Sequence, residues 1–100
     1  MAVAVEIDEN KQYIQIKGEL ICATVMQVLN QLTRQGTNLA RWVIDFSAVE
    51  RVDSTAVALL IELRKYAKQH NKPVSFIYLP EALLSIAQLS QVESLIVDPK

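Results

Sequence analysis

The sequence predicts a single α/β domain, built on a mixed sheet of four to five strands with helices packed against it. Three observations carry this prediction. Segments of alternating polarity give way to segments whose apolar residues recur at spacings of three and four, so strand and helix periods follow one another along the chain. A nearly continuous apolar run, Trp42, Val43, Ile44 and Phe46, has the composition of an inner strand covered on both faces. With 100 residues, 51% hydrophobic and 21% charged, the chain holds one real core and is not disordered. Residues 1–100 therefore form one domain, and two glycines and three prolines leave the connections short.

The first strand is read from Val3, Val5 and Ile7, which alternate with Ala4 and Glu6. Asp8, Glu9, Asn10 and Lys11 form a polar turn, and Ile14 and Ile16 alternate again over residues 13–17, giving an antiparallel hairpin closed by Gly18 and Glu19. Thr24 stands three residues before Gln27, the spacing of a capping box. Val25, Val28, Leu29 and Leu32 then form an apolar stripe, and Arg34 and Gly36 mark the end of a helix over residues 24–35. Residues 42–46 are the next strand.

A second helix is predicted over residues 54–69, with Ala56, Leu59, Leu60, Leu63 and Tyr66 buried and Glu62, Arg64, Lys65, Lys68 and Gln69 exposed. Asn71 suits the left-handed position that follows, and Pro73 directs the chain into a strand over residues 74–78. Pro80 opens a short helix reaching about Leu89, and residues 95–97 are read as a last strand. Right-handed crossovers make the later strands parallel to one another.

Composition excludes several function classes. A formal charge of −1 and a pI near 5.7 argue against nucleic acid or an anionic membrane as the main partner. The longest apolar run, from Ala56 to Ile61, is far short of the ~20 residues of a spanning helix. Glu6 and Asp8 interrupt the place where a signal peptide needs its apolar region. The single cysteine, Cys22, fits a reducing cytosol, and its expected place is a buried strand–helix junction. One cysteine and one histidine build no Cys/His zinc site. Isolated glycines give no phosphate loop, and no serine lies in a glycine-flanked nucleophile elbow. No catalytic residue, metal or cofactor is therefore expected. His70 reads as a capping or solvent-facing side chain, and Trp42 as a strand-packing or sheet-edge residue.

The segment from Asp45 to Thr55 stands above this background, because it joins an inner strand to the longest helix. Asp53 is placed to cap that helix, which puts Ser54 and Thr55 in its first turn, where backbone N–H groups lack intrahelical partners. A phosphate on Ser54 would meet those groups and the positive end of the helix dipole, with Arg51 offsetting the charge of Asp53. The plainer reading gives both hydroxyls only the role of satisfying helix-start donors.

The run Val43-Ile-Asp-Phe-Ser-Ala-Val-Glu-Arg-Val-Asp-Ser-Thr-Ala-Val-Ala-Leu-Leu resembles the signature of the STAS domain family, named for sulfate transporters and anti-sigma factor antagonists. The stretches Ile16-Lys-Gly-Glu-Leu and Ile86-Ala-Gln-Leu-Ser-Gln-Val-Glu-Ser-Leu-Ile are also similar to family features. The resemblance implies a mixed sheet with helices mainly on one face. It also implies a non-catalytic, cytoplasmic protein-binding domain. In the antagonists of the family, the serine after the motif's aspartate, here Ser54, is phosphorylated by a kinase that is also the anti-sigma factor. Ala56 stands where those members carry glycine, and this chain looks more like the MlaB-type branch, the STAS subunits of phospholipid-transporting ABC complexes. That resemblance implies a regulatory subunit that binds the cytoplasmic ATPase through Arg51, Asp53, Ser54, Thr55 and Val57. Membrane association would then come only through the complex. The alternative it leaves is an anti-sigma factor antagonist switched at Ser54.

Overall fold

Alternation in the first twenty residues becomes a hairpin because it gives the sheet one apolar side. In the computed structural model, which describes residues 2–97, β1 (Val3–Asp8) pairs antiparallel with β2 (Tyr13–Leu20). Val3, Val5 and Ile7 lie opposite Gly18, Ile16 and Ile14, so the two apolar sets share a face. β3 (Trp42–Val52) runs parallel to β2, and β4 (Val74–Ile77) parallel to β3, giving the order β1-β2-β3-β4. The mixed, four-stranded sheet carries its helices on one face, α1 (Val25–Gln35), α2 (Ser54–Gln69), α3 (Glu81–Leu89) and the single turn α4 (Glu93–Ile96). Ile14, Ile16, Trp42, Ile44 and Phe46 meet Val28, Leu32, Leu60, Leu63 and Leu83 in one core. Among the described residues, no helix is long and apolar enough to cross a membrane.

β3 departs from expectation in length and in cover. It continues to Val52 because Ala48, Val49, Arg51 and Val52 pair with Lys17, Gly18, Glu19 and Leu20, across two register shifts. Its second face is not roofed by helices. There the half-buried Val43 pairs with Tyr13, and Asp45 with Gln15. Asp45 is 6% exposed and is satisfied by the Tyr13 hydroxyl at 2.5 Å and the Ser47 N–H at 2.7 Å. Burial alone would raise the Asp45 pKa, but the hydrogen bonds from Tyr13, Ser47 and Gln15 outweigh it and hold the carboxyl below its ordinary value. The same bond to Asp45, helped by burial, pushes Tyr13 up to about 12. This raised value contributes stability that is complete below the unfolded tyrosine pKa of about 10. The contribution is lost as pH rises through about 12. Tyr13→Phe is expected to flatten the alkaline limb of a stability–pH profile measured by urea unfolding, and an unchanged limb would contradict the assignment.

Gly18 sits at φ +96° in the middle of β2, and a Cβ there would stand 2.4 Å from the Ala2 carbonyl oxygen. That carbonyl is already fixed by the Glu19 N–H at 2.9 Å. Gly18→Ala is therefore expected to cost about 1–3 kcal/mol, seen as a lower urea midpoint with unchanged far-ultraviolet circular dichroism.

Four local expectations need correction. Thr24 makes no capping bond to α1. Its hydroxyl instead donates to the Glu19 carbonyl at 2.6 Å and accepts from the Ile21 N–H at 3.0 Å, stitching the loop after β2. Pro80 is the cap residue of α3, and the helix begins at Glu81. β4 ends at Ile77, with the exposed Tyr78 in the left-handed region at φ 56°. Residues 95–97 do not form a strand. Val92 and Ile96, four apart across the turn of α4, pack inward, and Ile96 is fully buried. That leaves four strands among the described residues, within the four to five expected.

Other details follow the sequence more closely. α2 spans Ser54–Gln69 as predicted, and Asn71 takes φ 56° just beyond it. Tyr66 is only half-buried, whereas Ala67 is buried. Arg64, expected on the exposed side of α2, is half-buried over the Phe76 ring at 4.8 Å and donates to the Ile96 carbonyl at 3.2 Å. Trp42 is an interior residue rather than a sheet-edge one. Its indole N–H donates to the Gly36 carbonyl at 3.0 Å, and a Cβ on Gly36 would stand 3.0 Å from that indole. His70 is exposed and stacks on Tyr66 with ring centroids 4.0 Å apart.

Candidate functional site

The long β3 delivers the chain to the start of α2 beside the loop that follows β2, because Leu20 pairs with Val52. Asp53 is extended, at φ −135° and ψ −172°, and is the N-cap of α2. Its Oδ1 accepts the Thr55 N–H at 2.9 Å and also the Thr55 hydroxyl. Its Oδ2 accepts the Cys22 N–H at 2.9 Å. One carboxylate therefore fixes the first turn of α2 and ties it to the strand–helix loop before α1.

The electrostatics agree with this geometry. The Thr55 hydroxyl is the largest influence on Asp53; burial opposes it, and the Cys22 and Thr55 amides and the charge of Arg51 add to it. The net result holds the carboxyl below its ordinary value, and its hydrogen bonds make Asp53 the cap of α2 and an anchor for the loop before α1. Arg51 is exposed and reaches the Glu19 carboxylate at 3.4 Å, a pair whose arginine side chain is mostly in solvent.

The five residues singled out from sequence fall in different places. Ser54 is exposed, and its hydroxyl makes no hydrogen bond to any described residue. Thr55 is half-buried with its hydroxyl committed to Asp53. Arg51 and Asp53 both precede Ser54 in the chain, the first exposed and the second half-buried. Val57 is 5% exposed and belongs to the core. Its expected place on a contact surface is corrected, because α2 buries a stripe wide enough to include both Ala56 and Val57. Ala56 is fully buried, so its methyl group is part of the packing under the site.

Sequence reasoning put Ser54 at the start of α2 but missed the exposure of Cys22 and Met26. Cys22, expected to be buried, is exposed. Its amide is held by a carboxylate 31 residues away in sequence, a partnership that no local spacing signals. Met26, on the outer side of α1, is 60% exposed; its apolar character alone gave no sign of that. Chemically, the arrangement offers one accessible hydroxyl on a helix start held by the Asp53 cap, and no described residue hydrogen-bonds it. Among the described residues, no three potential metal ligands come together.

Several solved structures share this architecture. The unphosphorylated anti-sigma factor antagonist SpoIIAA is similar over 99% of this chain and 89% of its own, with a TM-score of 0.71 and 15% identity. The phosphorylated form of SpoIIAA, described as a Bacillus cell fate determinant, is similar over 99% of this chain and 92% of its own, with a TM-score of 0.65 and 17% identity. A structure described as Mglu matches 81% of this chain with a TM-score of 0.62 and 22% identity, and the chain spans only 20% of that longer protein. At these identities the likeness is one of fold. No curated protein sequence matches the chain. Family assignment comes instead from the sequence model described as Mlab, STAS domain, which matches residues 3–98. That match runs from the first strand through the turn of α4 and takes in the whole β3–Asp53–α2 junction, so the chain belongs to the Mlab, STAS domain family.

Proposed function

We propose that this STAS domain is a non-enzymatic regulatory protein that binds another protein through the start of α2. The observation that carries the reading is Ser54, whose hydroxyl is exposed and uncommitted while Asp53 holds the backbone beneath it in place. A partner that hydrogen-bonds this hydroxyl meets a preorganised group, and little conformational entropy is lost on binding.

The first form of this reading is an anti-sigma factor antagonist. A kinase that is also the binding partner would transfer the γ-phosphoryl group of ATP to Ser54 Oγ, releasing ADP and the hydroxyl proton. The product adds about −1.5 to −2 charge next to Asp53, which turns a compatible surface into a repulsive one. Similarity to both phosphorylation states of SpoIIAA across nearly the whole chain favours this form. The second form is a subunit that docks on the ATPase of a phospholipid-transporting ABC complex and needs no modification. The Mlab description of the family favours that form.

One experiment separates the two. The chain is purified from its source with untagged partners, then incubated with ATP and followed by intact mass. A co-purified kinase and one added phosphate on Ser54, absent in Ser54→Ala, support the antagonist. A co-purified ABC ATPase with no mass change supports the transport subunit. Undiminished partner binding in a Ser54→Glu variant would overturn both forms.

A further inference from the structure

We infer that the channel between α1 and α2 receives the apolar face of a partner helix carrying a lysine or arginine opposite Glu62. This rests on the reading that the start of α2 is a partner-binding face, and it specifies the chemistry of the partner there. The channel encloses about 240 Å³. Val25, Met26 and Leu29 form its α1 wall, and Thr55, Ala58, Leu59 and Glu62 its α2 wall. Thr55 places one end directly against the Ser54 site, so the two surfaces are continuous.

The shape and chemistry select the occupant. The volume is below the ~300–1,000 Å³ of small-molecule pockets, yet it is open and lined almost wholly by apolar side chains. That suits a few inserted side chains better than a whole ligand. From Thr55 to Glu62 the α2 wall runs two turns, about 10 Å, which matches anchors spaced three or four residues apart on a facing helix. Ala58 is exposed and small, so it lets a backbone approach closely. Met26, 60% exposed, supplies an adaptable apolar surface. Glu62 gives the channel a charged end. Its carboxylate lies 3.5 Å from Lys65, with both side chains more than half exposed. So weak a pair is readily exchanged for one with a cation on the partner.

The test is a titration of the isotopically labelled full chain with a synthetic amphipathic leucine–lysine helix of about 14 residues, just under four turns. Amide shifts are expected at Val25, Met26, Leu29, Ala58, Leu59 and Glu62. Affinity is expected to fall about 10-fold or more in Ala58→Arg and in Glu62→Lys, and to be unchanged in Lys68→Glu. All three positions are exposed, and circular dichroism verifies that the variants fold. A leucine–glutamate peptide of the same length is expected not to bind. Shifts centred elsewhere, or no saturable shift at all, would overturn the inference. Its failure is separable from that of the wider reading: Ser54→Glu can abolish capture of the natural partner while the peptide leaves the channel untouched.

Discussion

Replacing Ser54 with glutamate is expected to weaken partner binding by about 10- to 100-fold, the scale of an interfacial hydrogen bond lost and a repulsive charge gained. The fold should not change. Ser54 is exposed and its hydroxyl engages no described residue, so no internal contact is removed. An acidic side chain in the first turn of a helix is, if anything, favoured by the dipole. Surface changes of this kind usually stay within about 0.5 kcal/mol. A thermal melt by circular dichroism together with calorimetric titration of the co-purified partner would measure both quantities. A parallel Thr55→Val variant makes the contrast. Its hydroxyl is committed to Asp53, so it is expected to lower stability modestly and affect binding less than Ser54→Glu. Equal loss of binding in both variants would show that the contact belongs to the whole helix start rather than to Ser54.

Where the sequence was legible, local physics and tertiary contacts agreed. α2 combines an aspartate cap, a long apolar stripe and a left-handed asparagine beyond its end, and each signal points to the same boundaries. β3 was harder, because Ser47, Glu50 and Arg51 have the polarity of a loop. The strand continues through them because Ala48, Val49, Arg51 and Val52 pair with β2, which is more than 25 residues away in sequence, while Ser47 and Glu50 fall at the register shifts. Thr24 carried the spacing of a capping box, but a carbonyl five residues earlier took its hydroxyl. The apolar stretch before the C-terminus was short enough to suit either strand or helix, and packing of Val92 and Ile96 on one side decided it. The site divides in the same way. The placement of Ser54 after a capping aspartate follows from adjacent residues. The second grip of that aspartate, on Cys22, does not.

Asp53→Ala is expected to lower stability by about 2–3 kcal/mol, because it removes a helix cap and a cross-link between two loops in one step. The cap contributes through the Thr55 amide and hydroxyl, and the cross-link through the Cys22 amide. Asp53→Asn retains one side-chain oxygen as acceptor, so it can keep one of these grips and should cost less, about 1 kcal/mol. The pH dependence separates this role from a packing defect. The Asp53 carboxyl titrates below its ordinary value in the folded chain. Its contribution is therefore complete above the unfolded aspartate pKa of about 4 and disappears as pH falls through the lower folded value. Urea unfolding followed from pH 7 downward should show the difference between wild type and Asp53→Ala shrinking in that acid range, while Asp45 contributes a similar slope to both proteins. A gap that stays constant into strong acid would mean that the lost side chain mattered for its volume and not for its charge. The anchoring of the Ser54 surface would then have to come from the core beneath it, where Ala56 and Val57 lie.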